Sequence, residues 1–180
     1  MSQVKFIADL HLGHIKMAER RGFKNIEEHD QFIIDSWNSV VNKRDQVYIL
    51  GDVTMESHYP YEKLDLLNGS KIVVMGNHDS RKHVKRLLNH VDNVAGVIKY
   101  KGCFLTHVPI HPSELEYRVR KNIHGHLHSN FIPDSRYICV SCEHIDYKPK
   151  TLKELTGYSK VQEIKERTLI KNIKNSYLVY

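Results

Sequence analysis

Short runs of apolar, β-branched residues recur along the chain and alternate with polar segments. Each run has the length of a β-strand, and several are too continuously apolar to leave one face in water. They therefore predict strands of buried sheets. The six runs are residues 4–9, 46–52, 71–77, 103–108, 122–126 and 137–142.

Patterns typical of helices lie between the first four of these runs. Apolar residues from Ile33 to Val41 recur at steps of three and four, which makes one apolar stripe and predicts a long helix between the first two strands. A second helix is predicted over residues 61–67, because Asn68-Gly69 is a stop signal directly after it. A third helix is predicted over residues 83–88.

The second half of the chain has a different rhythm, with strands closer together and turns such as Pro133-Asp134. This change predicts hairpin-like connections after an α/β beginning. The expected fold class is α/β (α+β), a two-sheet β-sandwich flanked by helices. No linker interrupts residues 1–180, so we expect a single domain, and apolar residues between Val161 and Ile173 predict a C-terminal helical extension over 156–180.

The chain carries a formal net charge of +6. A positive surface attracts anionic partners, and nucleotides or nucleic acid are the obvious candidates. Solvated Lys and Arg side chains explain the excess from Lys148 onward. Residues 81–86 either attract an anionic partner or are solvated in the same way. Both interpretations stay open, because this basic segment directly follows a predicted site loop.

No apolar run approaches the ~20 residues that a membrane-spanning helix needs, and the N-terminal residues do not resemble a secretion signal. A cytoplasmic protein without a membrane partner is therefore expected. The tail beyond about residue 155 either completes the domain or forms a dimer contact, and the oligomeric state stays open.

Three cysteines are too few for a disulfide scaffold. Cys139 and Cys142 form a C-x-x-C pair, a pattern found in redox sites and in half of a zinc site. The pair lies inside a strand-like run rather than at a helix start, and the chain has no second pair. Buried, unreactive cysteines are the preferred interpretation.

Polar residues concentrate where the predicted strands end. In α/β architectures the loops at the carboxyl ends of strands converge, so five strand ends deliver these side chains towards one place. Asp9/His11 and His126/His128 are each spaced by two, so both members of a pair can face the same way from extended backbone. The residues are Asp9, His11, Asp52, Asn77, His78, Asp79, His107, His126 and His128.

Carboxylate, amide and imidazole ligands without thiolate suit divalent metals such as manganese, iron or zinc. Seven of the nine residues, all except His78 and Asp79, are the candidate ligands. Seven ligands are too many for one catalytic ion that keeps an open position. They fit two ions about 3.5–4 Å apart that share a carboxylate, as in phosphoryl chemistry. Two such ions bring four positive charges, whereas Asp9, Asp52 and a bridging hydroxide bring three negative ones. The centre would keep a net positive field for a phosphate.

The order of motifs resembles the calcineurin-like metallophosphoesterase family. It runs D-x-H, G-D, G-N-H-D, a lone His and G-H-x-H over residues 9 to 128. Five elements in order are far more specific than a single D-x-H. The contexts FIADLHLGH, HGHLH and HIDYKPKTLKEL (144–155) are similar, more weakly, to small phosphoesterases of bacteria and phages.

The resemblance implies a role for each motif residue. His78 would sit beside the substrate phosphate with Asn77, stabilising charge or protonating the leaving oxygen, and Asp79 would support the loop. Asp52 would bridge the two ions. One metal would be held by Asp9, His11, Asp52 and His128, and the other by Asp52, Asn77, His107 and His126.

The resemblance implies a dinuclear metal-dependent phosphoesterase, a hydrolase in which a metal-activated hydroxide attacks phosphorus. We expect phosphodiester bonds of small nucleotide-like substrates, with monoesters open, and manganese as the metal, with iron, zinc or nickel as alternatives. A nuclease acting on DNA or RNA is the first alternative. The second is a binding module that keeps the fold without catalysis.

The other histidines are expected outside the ligand set. His14, His111 and His124 are candidates for contacts behind the ligands, and strand parity with His126 favours His124 as the one that points at the site. The remainder are expected to be surface or structural residues, namely His29, His58, His83, His90 and His144.

Overall fold

The structure is a computed structural model and describes residues 2–54 and 60–157. Its described residues form a five-stranded and a four-stranded sheet with a few helices, which confirms the predicted fold class. No helix among these residues is long and apolar enough to cross a membrane. The predicted stripe from Val161 to Ile173 lies outside the described residues, of which the last, 152–157, are helical.

The first sheet has the strand order β4-β3-β2-β1-β9. Its first four strands in the sequence pair in parallel, and β9 is antiparallel to β1 at the edge. Parallel pairing sends the carboxyl ends of β1, β2 and β3 to the same side of the sheet. The strands are β1 (Val4–Ile7), β2 (Gln46–Ile49), β3 (Ser70–Val74), β4 (Asn93–Ala95) and β9 (Lys150–Thr151).

The second sheet has the order β5-β6-β7-β8, and β6, β7 and β8 are parallel. The predicted hairpin-like second half is therefore wrong for these three strands, since short strands close together in sequence can still pair in parallel across irregular loops. A hairpin does join β5 to β6, through Lys101 (φ 44°) and Gly102 (φ 77°). The strands are β5 (Ile98–Tyr100), β6 (Cys103–Thr106), β7 (Lys121–His124) and β8 (Tyr137–Cys139).

The helices are α1 (Ile15–Arg20), α2 (Ile26–Asn38) and α3 (Val84–Leu87). Helix α2 contains most of the predicted stripe and begins where the Asn25 side chain accepts a hydrogen bond from the N–H of Glu28, at 2.8 Å. The predicted second helix is a 3-10 helix, and the third is a 3-10 turn followed by α3. The 3-10 segments are Tyr61–Leu66, Arg81–His83, Pro112–Leu115 and Cys142–His144.

The two sheets share one hydrophobic core. Phe6 of β1 stacks on Tyr48 of β2 and meets Tyr100 of β5 edge-on, with ring centroids 5.6 and 5.5 Å apart. The sheets are also joined through their backbones, because the N–H of Ala8 donates to the carbonyl of Val140 at 2.8 Å. This junction lies one residue before Asp9 and fixes the position of the first motif between the sheets.

Candidate metal centre

The seven predicted ligands follow β1, β2, β3, β6 and β7, and the structure brings six of them into two compact groups. Within each group, one possible ligand atom per residue lies within 4.8 Å of the others. We name them the His11 group, which is Asp9, His11 and His128, and the His107 group, which is Asp52, His107 and His126. Each group contains three of the four ligands that the motif resemblance implies for one ion.

Asp52 lies between the two groups. Its Oδ2 is 3.7 Å from Nε2 of His11 and 3.4 Å from Nε2 of His107. Ligand atoms about 2.1 Å from one tetrahedral ion are about 3.4 Å from each other, so these spacings fit shared coordination. Oδ1 accepts a hydrogen bond from the backbone N–H of His78 at 2.9 Å, which holds Oδ2 towards both groups.

Asn77 joins the His107 group. Its Oδ1 lies 2.8 Å from Nε2 of His107, the same nitrogen that faces Asp52. The other ring nitrogen, Nδ1, lies 2.9 Å from the carbonyl of Leu50 and donates its hydrogen there. Nε2 therefore faces amide and carboxylate oxygens, and either a proton or a metal ion can bind between this nitrogen and those oxygens.

His11 gives a second indication that the residues fit a metal. It is 1% exposed, and within the described residues neither of its ring nitrogens has a hydrogen-bond partner. Unpaired buried nitrogens are costly, and a bound cation would satisfy one of them. Burial lowers the pKa of His11 to about 2, so the imidazole is uncharged and keeps the lone pair that a metal ligand requires.

The two aspartates have opposite pKa shifts. Burial raises the pKa of Asp9, which is fully buried, to about 6. Burial also acts to raise the pKa of Asp52, but the hydrogen bond and the charge of His107, together with the hydrogen bond from the N–H of His78, outweigh it and hold that pKa at about 2. Asp52 is thus ionised before any metal arrives, whereas Asp9 gains most from a nearby cation.

Five of the seven predicted ligands have left-handed backbone conformations. Positive φ is uncommon outside glycine, although Asp and His tolerate it better than most residues, and the strain of roughly 1–3 kcal/mol per residue concentrates at functional sites. The values are Asp9 60°, His11 52°, Asp52 53°, His126 72° and His128 50°, and they make up five of the eight such non-glycine residues in the described chain.

The prediction that Asp9/His11 and His126/His128 lie on extended backbone is therefore wrong. Strand β1 ends at Ile7, before Asp9, and β7 ends at His124, before His126. The side chains converge because each chain segment coils back at the strand end, with the N–H of His11 donating to the carbonyl of Asp52 at 2.9 Å. The spacing of two is a property of the turns rather than of strand parity.

The glycines of three motifs lie against the ligands. A Cβ at Gly51 would lie 2.5 Å from Nδ1 of His107, and a Cβ at Gly125 would lie 2.7 Å from Oδ2 of Asp9. A Cβ at Gly76 would collide with Oδ1 of Asp52. Each glycine therefore lets a ligand approach the backbone of the neighbouring motif.

Asp79 supports the loop, as predicted. Its buried carboxylate accepts three backbone hydrogen bonds, from Gly76 at 2.8 Å, Asp52 at 2.9 Å and Val53 at 3.0 Å. These bonds fasten the G-N-H-D loop to the turn that carries Asp52.

The ligands differ in their access to solvent. Asp9, His11, Asp52 and His107 are buried, whereas Asn77 and His126 are exposed. His78, 34% exposed, stands at the open side with its Nε2 4.0 Å from Oδ2 of Asp52. A molecule from solvent can therefore reach the centre past His78, the predicted catalytic residue.

The ring of His14 lies against the site, which contradicts the preference for His124. The centroid of the His14 ring is 5.3 Å from that of His11 and 6.1 Å from that of His78. His124 is buried, its Nδ1 lies 2.8 Å from the carbonyl of Gly125 and its ring contacts Tyr137. Strand parity fails here because the chain turns at Gly125 before it reaches His126.

The remaining histidines have other partners. His111 caps the 3-10 helix that follows it, His90 pairs with Asp65, and His144 contacts the carbonyl of Asn130. His29 is fully buried, so it is a structural residue rather than a surface one. His83 is partly buried, and His58 lies outside the described residues.

Sequence reasoning missed two charged residues behind the ligands. Oε1 of Glu143 accepts the Nδ1 hydrogen of His128 at 3.1 Å, which leaves Nε2 of His128 for the site. Arg21 in turn contacts Glu143 at 2.9 Å. Glu143 follows β8, so the strand-end rule could have found it, whereas Arg21 sits in the charged run Glu19–Arg21 and carries no such signal.

No family model matches the chain. It is 33% identical over 167 residues to the uncharacterized protein MJ1445 of Methanocaldococcus jannaschii, an alignment that covers 84% of this chain and 88% of that protein. The chain belongs to the same family as this archaeal protein. The similarity extends to the Gene 66 proteins of Mycobacterium phages L5 and D29, which are 31% and 33% identical over 166 residues, cover 73% of this chain and are themselves covered to 80% and 81%.

A solved structure has the same architecture. The protein of unknown function AQ665 from Aquifex aeolicus superimposes with a TM-score of 0.66 at 28% identity, over 88% of this chain and 100% of that chain. The names of these relatives state no activity. The chemistry of the family must therefore be argued from the residues of the site.

Proposed function

We propose that the protein is a dinuclear metal-dependent phosphoesterase that hydrolyses phosphodiester bonds of small nucleotide-like substrates, with monoesters as further substrates. The observation that carries the proposal is the position of Asp52, whose Oδ2 faces a histidine of each group at 3.7 and 3.4 Å. A carboxylate shared in this way is the signature of a two-ion centre. Manganese is the metal that we expect, with iron, zinc or nickel as alternatives.

The chain would hold one ion with the His11 group and the other with the His107 group and Asn77, with Asp52 shared. When bound, the two ions would supply a positive field for the phosphate and lower the pKa of attacking water. The left-handed turns and the packed glycines hold the ligands in place beforehand, so little reorganisation is needed on binding.

His78 is the residue that we assign to substrate. It stands at the open side, one third exposed, and its backbone is fixed by the hydrogen bond to Asp52. An imidazole there can donate to a phosphate oxygen or protonate the leaving oxygen, because its ordinary pKa of about 6.5 lets it hold or release a proton near neutral pH. Asn77 beside it presents its amide to the same region.

A nuclease is the second candidate, and the basic segment after the site loop favours it. Arg81, Lys82, Lys85 and Arg86 are all exposed and follow Asn77 by four to nine residues. These four positive charges would attract the phosphate backbone of a nucleic acid to the metal centre. A non-catalytic binding module is disfavoured, because all seven predicted ligands and His78 are present. For the phosphoesterase and for the nuclease alike, we propose a cytoplasmic location in a bacterial cell or a phage-infected host.

The test is turnover of chromogenic phosphomonoesters and phosphodiesters by metal-free protein, refilled with manganese, nickel, zinc or magnesium in turn. We expect turnover of diesters to return with manganese and to be absent without metal. His107→Ala should abolish it, whereas His111→Ala, at the exposed residue that caps a 3-10 helix, should not. Salt-sensitive cleavage of labelled DNA or RNA would favour the nuclease, and no turnover with any metal would favour the binding module.

A further inference from the structure

Arg21 is a buried cation that the proposed chemistry does not use. Its side chain is 2% exposed and lies behind the His11 group. Nη2 donates to the carbonyl of Asp9 at 2.7 Å, and Nη1 donates to the carbonyl of Leu10 at 3.1 Å. Nε and Nη2 both contact Oε1 of Glu143 at 2.9 Å. All three guanidinium nitrogens are therefore engaged.

The two carbonyls belong to the left-handed turn that carries Asp9 and His11. Asp9 has a φ of 60° and His11 a φ of 52°, so this turn needs outside contacts to stay in place. A guanidinium fits that task because its donors form a rigid fork, and it can hold successive carbonyls in one geometry. Arg21 thereby fixes the turn that presents two ligands of the His11 group.

The third ligand of the group depends on the same guanidinium through Glu143. Glu143 holds Nδ1 of His128, and Arg21 holds Glu143 by two contacts to one oxygen. The Glu143 carboxylate therefore lies between the guanidinium of Arg21 and the imidazole of His128 and contacts both. One side chain thus supports Asp9, His11 and His128 together.

The outer side of Arg21 is also fixed. Nη1 lies 3.0 Å from Nε2 of His29, and because arginine can only donate, Nε2 must accept. Nδ1 of His29 then carries the hydrogen and donates it to Asp30 at 2.8 Å. Asp30 also accepts from the N–H of Gly13 at 3.0 Å and pairs with Lys63. The outer side of the guanidinium is therefore held by a hydrogen-bonded chain through His29 and Asp30.

The His107 group has different supports. His107 is oriented by the carbonyl of Leu50, and the turn of Asp52 is fastened by Asp79. Neither support includes Arg21. The two groups also contact each other, since the N–H of His11 donates to the carbonyl of Asp52 and the N–H of His126 donates to the Asp9 carboxylate. The supports behind them differ, so loss of the Arg21 contacts should affect the His11 half first.

We propose that Arg21 is a positioning residue that assembles the His11 half of the centre, through the carbonyls of Asp9 and Leu10 and through Glu143. This inference rests on the proposed two-ion function. It predicts that the two metal sites can be separated by a substitution that touches no ligand.

The test is titration of metal-free protein with Mn²⁺, followed by calorimetry and by metal analysis after gel filtration. The wild-type chain should bind two ions. Arg21→Met should weaken one of them by roughly 10- to 100-fold and leave the affinity of the other near the wild-type value. Arg21→Lys, which keeps the charge without the fork, should recover part of the lost affinity. Arg136→Met is the matched control, since the Arg136 guanidinium pairs with Asp134 at 2.7 Å just before β8.

The outcomes separate this inference from the proposed function. If the wild-type chain binds two ions and folded Arg21→Met also binds both with unchanged affinity, or weakens both equally, the positioning role is wrong and the two-ion function stands. If the wild-type chain binds fewer than two ions, the proposed function fails and the inference fails with it. Should Arg21→Met not fold, Arg21→Lys and Glu143→Gln carry the same comparison, and equal weakening of both sites in them overturns the role.

Discussion

Oδ2 of Asp52 lies 3.4 Å from Nε2 of His107, deep between the two sheets. The same Nε2 lies 2.8 Å from Oδ1 of Asn77. The contact joins residues from the ends of β2, β3 and β6, so the fold of both sheets is needed to make it. We therefore treat it as the centre of the proposed metal site.

His78→Ala should retain both metals and lose turnover. The imidazole stands at the open side and is not a member of either ligand group, so its removal should lower kcat by roughly 10²- to 10⁴-fold, as for loss of a general acid. Steady-state kinetics with parallel metal analysis measures both effects. His90→Ala, which removes the surface partner of Asp65, is the control. A normal kcat in His78→Ala would remove this residue from the mechanism.

Gly125→Ala should disturb the site without changing a ligand. The added Cβ would lie 2.5 Å from Cβ of Ala8 and 2.7 Å from Oδ2 of Asp9, so the His11 group must shift. We expect a loss of roughly 1–3 kcal/mol in the free energy of unfolding and weaker binding of Mn²⁺.

Thermal unfolding and calorimetry measure these two losses. Gly96→Ala is the matched control, because a Cβ there meets nothing within 4 Å. Equal behaviour of the two variants would show that the close approach at Gly125 does not matter.

The cysteines should not react in the native protein. Cys103 and Cys142 are buried, and burial raises the pKa of the Cys139 thiol to about 11, so hardly any thiolate exists near neutral pH. A chromogenic disulfide reagent at pH 8 should label the cysteines only after unfolding. Rapid labelling of Cys139 or Cys142 in the folded chain would revive the redox interpretation of the C-x-x-C pair.

Much of the site could be predicted from the sequence, because strand ends in an α/β fold meet at one edge and because ligand chemistry restricts the residue types. Asp52 and His107 are examples, since each directly follows a clearly apolar run. The backbone of the turns could not be predicted. Positive φ at Asp9 and His126 is imposed by tertiary contacts, so the parity argument that favoured His124 over His14 failed.

The very short strands and the buried Arg21 could not be predicted from the residues next to them in the sequence. Strands β4, β5 and β9 are two or three residues long, too short for a period in hydrophobicity to show, and they form because a neighbouring strand offers hydrogen bonds. Arg21 is buried by pairing with Glu143, which lies 122 residues further along the chain. Only the folded structure distinguishes it from the solvated Arg20 beside it.

The most direct test of the shared carboxylate is the metal content of Asp52→Asn. Asparagine keeps the size of the side chain and an oxygen for the N–H of His78, but it removes the charge that two ions would share. Metal analysis after saturation with Mn²⁺ and gel filtration should give two ions per wild-type chain and fewer than one per Asp52→Asn chain, with turnover lost. Two tightly bound ions in folded Asp52→Asn, or fewer than two in the wild-type chain, would contradict the proposed centre.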